Sequence, residues 1–252
     1  MKNNNIKISC VSYLNSKPFI YGLENSTLIQ QGQVELSLDI PRRCAEKLLN
    51  NEADIGLVPV ASLPLIGNYN IISNYCIGAN GKVHSVNLYS DVPLHEIDNI
   101  ILDYQSLTSI NLTKILCKEF WKINPKFIDA DKDFISNIDG KTAGVIIGDR
   151  TFNIENKFKY VYDLAEQWQL FTNLPFVFAV WVANKKIDNY FLNDFENCLQ
   201  IGIQNIDKVA EMYKIQYAPY DVLKYLNTYI NYDFDQNKQN ALHIYLTYLK
   251  NL

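Results

Sequence analysis

Val11-Ser12-Tyr13-Leu14-Asn15-Ser16-Lys17-Pro18-Phe19 joins two different local patterns. Ahead of it, residues 6–11 (Ile-Lys-Ile-Ser-Cys-Val) read as a short β-strand, and behind it residues 19–23 read as a helix turn. Pro18 near the first helical position, with Ser16 just upstream as an N-cap, is a helix-start signal, because proline lacks an N–H that the first turn leaves unbonded anyway. Ser12, Tyr13, Asn15 and Ser16 are therefore expected on the loop between a strand's C-terminal end and a helix N-terminus. In α/β proteins ligands bind at such loops, where free N–H groups and the helix dipole point outward. A plain capped turn fits the same residues equally well.

Working outward, residues 35–40 alternate polar and apolar as a half-buried strand does, and Pro41 ends it. Residues 42–50 read as a helix with Cys44, Ala45, Leu48 and Leu49 on one side. The nearly continuous apolar run 55–60 (Ile-Gly-Leu-Val-Pro-Val) suits a parallel strand covered on both faces. Residues 1–66 thus give β-α-β-α-β, with a second strand-end loop at Pro59. Strands are expected at 71–77 and 83–89, the latter crossing out of a first lobe.

A second α/β segment starts at residue 97. Strand 100–102 is followed by Ser106, Thr108 and Ser109 before a helix over 110–121 carrying Leu112, Ile115, Leu116 and Trp121. Hydroxyl residues there serve either as a cap or as an anion site at a helix N-terminus; three in four positions exceed what one cap needs. Strand 143–149 ends in Gly148-Asp149, where a backbone can approach a ligand closely. Strand 160–164, polar-aromatic residues 165–171 and the apolar strand 176–183 follow, then helical patterns from 187, from Pro219 and over 236–249. The expected architecture is two α/β lobes, the first made of residues 1–90 and 178–252 and the second of 91–177. Two hinge crossovers would frame a central cleft, with the loops at Asn15, Pro59, Thr108 and Asp149 facing it.

Bulk properties exclude several classes. A net charge of −4 without a basic block argues against a nucleic-acid surface. No apolar run reaches the roughly 18 residues of a membrane span. The start, Met1-Lys2-Asn3-Asn4-Asn5-Ile6, lacks the apolar core of a secretory signal, so a cytoplasmic protein is expected. Five scattered cysteines without a Cys-x-x-Cys read as reduced core residues, and three histidines without ligand spacing make a metal site unexpected.

Six motifs in order resemble the chorismate dehydratase family of the futalosine route to menaquinone. They are 12–18 (Ser-Tyr-Leu-Asn-Ser-Lys-Pro), 54–60, 83–86 (Val-His-Ser-Val), 102–109, 147–149 (Ile-Gly-Asp) and 172–181, together spanning roughly residues 6–183. The sister 1,4-dihydroxy-6-naphthoate synthase has Cys-Pro-Asn where this chain has Tyr13-Leu14-Asn15. The resemblance implies a two-lobe type II periplasmic-binding-protein-like fold in the cytoplasm and a lyase that dehydrates chorismate to 3-[(1-carboxyvinyl)oxy]benzoate. It implies no metal or organic cofactor, a small dianionic substrate, and neither nucleic acid nor membrane as partner; monomer and homodimer stay open.

By family match Asn15 and Ser85 take the catalytic roles. Ser12, Tyr13, Ser16, Pro59, Ser106, Thr108, Ser109, Gly148, Asp149 and Phe178 are expected to bind substrate. Neither Asn15 nor Ser85 is a competent base at neutral pH, so a substrate carboxylate is the expected proton acceptor, with Asp149 as the protein alternative. On an alternating strand His84 would point away from Ser85. Two positions depart from the family pattern: Leu107 stands where relatives carry Arg, and Asn173 where they carry Gly. Phe176, Phe178, Trp181 and Tyr13 either wall the site or pack the core; Trp121 and Trp168 are expected in the core. Alternative readings are the naphthoate synthase, a non-catalytic small-anion-binding protein of the same fold and, as a poor fit, an effector-binding regulator domain.

Overall fold

The computed structural model describes residues 5–154 and 157–252. Residues 1–4, part of the start from which a missing leader was expected, lie outside the described residues. The chain divides into two compact units: Met1–Gly78 with Val177–Asp235, and Ala79–Phe176 with Gln236–Leu252.

The chain opens with β1 (Ile6–Val11), α1 (Lys17–Glu24), α2 (Thr27–Gln30), β2 (Val34–Asp39), α3 (Pro41–Leu49), β3 (Ile55–Pro59), α4 (Leu63–Ile66) and β4 (Asn70–Ala79). It continues through β5 (Val86–Ser90), β6 (Asn99–Leu102), α5 (Leu107–Ile115), β7 (Lys126–Asp129), β8 (Thr142–Ile147), β9 (Tyr160–Asp163) and α6 (Leu164–Thr172). It then returns as β10 (Phe176–Ala183), α7 (Asn189–Gln204), α8 (Ile206–Tyr213), α9 (Val222–Lys224) and β11 (Asn231–Asp233), and ends in α10 (Gln236–Lys250).

In the first unit six strands run in the order β11-β4-β10-β3-β1-β2. The order follows the hydrophobic patterns. All five residues of β3 and all eight of β10 are buried, so both sit inside the sheet. The alternating β2, with partly exposed positions, takes the edge beside β1. In the second unit five strands run β7-β6-β8-β5-β9, with β6 parallel to β7 and β8, and β5 antiparallel to β8 and β9.

Four placements differ from the sequence reading. Residues 83–85 are not strand: β5 starts at Val86, and His84 has a left-handed backbone with φ 63°. Because β5 pairs with β8 and β9, the first crossover falls at Gly78–Ala79 instead of residue 90. Residues 165–171 form most of α6, whose N-cap is Asp163. The last helix belongs to the second unit, where Tyr245 packs edge-on to Trp168 and Phe176 and donates its hydroxyl to the Thr108 carbonyl at 3.1 Å.

Trp168 and Trp181 are fully buried. In the first unit Phe19 stacks edge-on against Trp181 and Tyr232, and Trp181 against Phe195. In the second, Tyr89, Ile101, Phe134, Ile138, Ile146 and Ile154 form a core cluster. Trp181 and Phe176 are thus core residues. Trp121 is only half-buried and donates its indole N–H to Gln167 at 3.0 Å. Asn173 ends α6 with φ 57°, a conformation glycine reaches freely and asparagine tolerates better than most side chains.

Helices α1 and α7 meet through glycines. A Cβ on Gly22 would lie 1.9 Å from the Cys198 carbonyl oxygen, and one on Gly202 would lie 1.9 Å from that of Pro18. Both obstacles are backbone, so a helix must move. Gly202→Ala is expected to cost about 2 kcal/mol, a typical overpacking penalty. An unchanged urea midpoint for this variant would contradict the close contact.

Candidate functional site

Chemistry-bearing loops gather at one end of each sheet. In the first unit β1 pairs parallel with β3 through Ile8–Ile55 and Ser9–Gly56, and continuing that register brings Ser12 level with Pro59. β10 runs antiparallel to β3 with Ala179 opposite Pro59, so Phe178 lies at the same end. Ser12, Tyr13, Asn15, Ser16, Pro59 and Phe178 therefore share one end of one sheet.

Asn15 is held on both sides. A short 3-10 turn, Leu14–Ser16, leads into α1. Ser16 stands at the N-cap position, but its hydroxyl makes no cap bond and instead donates to Asn15 Oδ1 at 3.0 Å. The expected capping role of Ser16 is thus replaced by one of orienting Asn15. The backbone carbonyl of Asn15 accepts the Tyr232 hydroxyl at 3.0 Å. With Oδ1 occupied, the amide Nδ2 of Asn15, a donor, is left without a partner among the described residues. Lys17 turns away, its ammonium 5.1 Å from the centre of the Tyr213 ring.

In the second unit Val86 pairs with Ile147, and the Gly148 N–H donates to the Ser85 carbonyl at 2.8 Å. Gly148 takes φ 66°, which its lack of a side chain permits, and this turn places Asp149, half-buried, beside the Ser85 segment. The Gly148 N–H is spent on Ser85 and is not left for a ligand. The loop after β6 reaches the same end. Ser106 caps α5, accepting the Ser109 N–H at 3.4 Å and the Ser109 hydroxyl at 3.3 Å. Two of the three hydroxyls in 106–109 therefore serve the cap; Ser106, Thr108 and Ser109 are all buried. Leu107, half-buried, is the first residue of α5. Ser85, Ser106, Thr108, Ser109, Gly148 and Asp149 share this end of the second sheet, and Asn15 and Ser85 lie in different units.

Two buried carboxylates, not singled out in the sequence reading, organise the second unit's loops. Asp103, fully buried, accepts the N–H of Gln105 at 2.9 Å and of Ile147 at 3.1 Å and pairs with Arg150. Asp163 accepts four backbone N–H groups: Val83 at 2.9 Å and His84 at 2.7 Å on Oδ2, Ala165 at 3.0 Å and Glu166 at 3.2 Å on Oδ1. The sequence signal for Asp163 was its three-residue spacing to Glu166, the spacing of a capping box. Tyr232 gave no such signal, being 217 residues from the Asn15 it holds.

Burial pushes the Asp163 carboxyl up to about 6, against the four N–H donors, which favour the anion. Between the ordinary carboxylate value of about 4 and about 6, the folded protein holds a proton that the unfolded chain has released. This group's contribution to stability is therefore full below the lower value and is lost as pH rises through the upper one. The unfolding free energy of wild type minus that of Asp163→Asn should fall across that window and run flat above it. A difference that rises there would contradict the assignment.

The three arginines all have acidic partners. Arg42 and Arg43 pair with Glu46, and Arg43 also with Glu52, on exposed faces of the first unit, while Arg150 pairs with Asp103. All five cysteines are free and buried, and burial pushes the Cys44 and Cys117 thiols up to about 12, far from a nucleophilic thiolate at neutral pH. Among the described residues no group of His, Cys, Asp and Glu is placed to hold a metal ion, and no helix is long and apolar enough to cross a membrane.

A crystal structure of an Archaeoglobus fulgidus protein matches with a TM-score of 0.76 at 13% identity, covering 100% of this chain and 98% of that one. A Candida albicans gene product described as having the generic periplasmic binding protein fold matches with a TM-score of 0.63 at 12% identity, covering 98% and 90%. The fold is therefore periplasmic-binding-protein-like. The chorismate dehydratase of Thermus thermophilus is 27% identical over 167 residues, a match that spans 58% of this chain and 60% of that enzyme. The sequence model of the menaquinone biosynthesis family matches residues 6–251, and the chain belongs to that family.

Proposed function

We propose that the protein is a cytoplasmic chorismate dehydratase, a carbon–oxygen lyase that converts chorismate to 3-[(1-carboxyvinyl)oxy]benzoate and water. The observation that carries this reading is Asn15, a neutral donor locked by Ser16 and Tyr232 at the end of β1. The family membership and the Thermus thermophilus relative support it.

The reaction suits such groups. A ring C–H bond breaks, its electron pair completes the aromatic ring, and the ring C–O bond breaks with its pair leaving as hydroxide, which with the proton forms water. Aromatisation makes the product strongly favoured, so the protein has mainly to hold a dianion and stabilise the departing charge. The first turns of α1 and α5 offer backbone N–H groups to carboxylates, which suits a chain whose three arginines all have acidic partners. Asn15 donates to developing negative charge and Ser85 orients a carboxylate or the ring hydroxyl. The substrate's own carboxylate takes the proton. Ser12, Tyr13, Ser16, Pro59, Ser106, Thr108, Ser109, Asp149 and Phe178 complete the proposed contacts, and Gly148 serves by placing Asp149. Asp103 and Asp163 do not compete for the role of base, since both are saturated by N–H donors.

The test is to mix purified protein with chorismate and follow products by mass spectrometry. Protein-dependent, multiple-turnover loss of one water to an aromatic enol ether is expected. Tight binding without conversion would point to a binding protein. The absence of both binding and conversion would overturn the reading and turn attention to the substrate of 1,4-dihydroxy-6-naphthoate synthase.

A further inference from the structure

Ser85 follows a residue in an unusual backbone state. His84 has φ 63°, left-handed, which an L residue other than glycine adopts at a cost of about 1–2 kcal/mol. Such a conformation persists where its surroundings over-determine it. Here they do so from three sides. The Val83 and His84 N–H groups both donate to Asp163 Oδ2. The His84 carbonyl accepts the Asn87 side-chain amide at 2.8 Å, and the Ser85 carbonyl accepts the Gly148 N–H at 2.8 Å. The other oxygen of Asp163 caps α6, and Asp163 pairs in register with Asn87 across β9 and β5. One carboxylate therefore ties the turn ahead of Ser85 to the rigid start of a helix.

We infer that Asp163 is a positioning residue for Ser85: it holds the left-handed turn at His84 and so sets where the Ser85 side chain is presented. This rests on the proposed role of Ser85 in the reaction. Asp163 itself, with both oxygens bound to backbone N–H groups, acts on the loop and not on substrate.

The experiment separates the two oxygens. Asparagine is a good helix cap, so Asp163→Asn keeps its one carbonyl oxygen on the Ala165 and Glu166 N–H groups and turns an NH2 toward Val83 and His84, which can accept nothing there. Two readouts are taken on the full-length protein. By amide hydrogen exchange, Val83 and His84 should exchange about 10–100 times faster than in wild type, with Ala165 and Glu166 unchanged. With chorismate, kcat should fall about 10–100-fold while KM stays within about threefold, the signature of lost alignment. If Asp163→Asn does not fold, Asp163→Ser supplies the cap with a hydroxyl too short to span to the turn.

Unchanged protection of Val83 and His84 would overturn the clamp. Faster exchange with unchanged kcat would overturn the link to Ser85. A wild-type protein that leaves chorismate intact would overturn the functional reading and with it the role toward this reaction, while the exchange experiment still decides the clamp.

Discussion

Asn15→Asp should lower kcat on chorismate by about 10²–10³ while leaving the folded protein intact. The substitution is nearly isosteric. One carboxylate oxygen still accepts the Ser16 hydroxyl, and the backbone carbonyl still accepts Tyr232. What changes is the atom that the amide nitrogen occupied: a donor becomes an anionic acceptor, presented to a substrate that is itself a dianion. Removing a single preorganised donor of this kind costs about 10²–10³ in rate, equivalent to about 2.7–4 kcal/mol of transition-state stabilisation. Asn15→Ala removes the donor without adding charge and should lose a similar factor in kcat. The two variants part in KM, which should rise further for Asp because ground-state binding also suffers repulsion. Steady-state kinetics on both, with circular dichroism as the fold control, is the measurement. Turnover within about threefold of wild type in both variants would remove Asn15 from the chemistry.

The reasons Asn15 was legible in sequence and Asp163 was not are physical. The loop 12–18 announces itself by local chemistry: a strand pattern, a run of polar residues and a proline at a helix start lie within a dozen positions. The buried strands β3 and β10 announce themselves by apolar runs that only an interior strand can bury on both faces. Residues 83–86 mislead for the opposite reason. The alternation of Val86, Asn87 and Leu88 invites extending the strand back to Val83, yet the backbone breaks at His84 because Asp163, some 80 positions away, recruits two consecutive N–H groups that a strand would direct to opposite sides. Helix α6 hid behind its aromatic content, although Asp163 and Glu166 mark its start. The placement of α10 with the second unit depends on Tyr245 meeting Trp168 and Phe176, a tertiary fact with no local signal. The hydroxyls of 106–109 looked too many for one cap, but the Ser109 hydroxyl donates to the Ser106 hydroxyl, which also accepts the Ser109 N–H.

Asp103→Asn should cost about 3 kcal/mol of stability and shift the melting temperature by roughly 6–12 °C. Asp103 is fully buried, and its carboxylate joins three pieces of chain: the loop after β6 through Gln105, the end of β8 through Ile147, and the following turn through Arg150. Asparagine keeps the volume but offers one acceptor oxygen where three donors converge, so at least one N–H is left without its bond. It also strips the Arg150 guanidinium of its counter-charge. The Arg150 side chain is 27% exposed, so water can partly replace Asp103, which places the cost near the lower end of the range for breaking a buried pair. The rings of Tyr104 and Phe134, 5.6 and 5.9 Å from the guanidinium, hold part of the charge in place without the carboxylate. A double-mutant cycle isolates the pair. Adding Arg150→Met to Asp103→Asn should recover about 1–2 kcal/mol, because the uncompensated cation is gone while the lost N–H bonds remain lost. Urea unfolding of the four proteins gives the coupling directly. Additive effects would mean that Asp103 acts through its backbone bonds alone, with no coupling to Arg150 in holding the loop that carries Asp149.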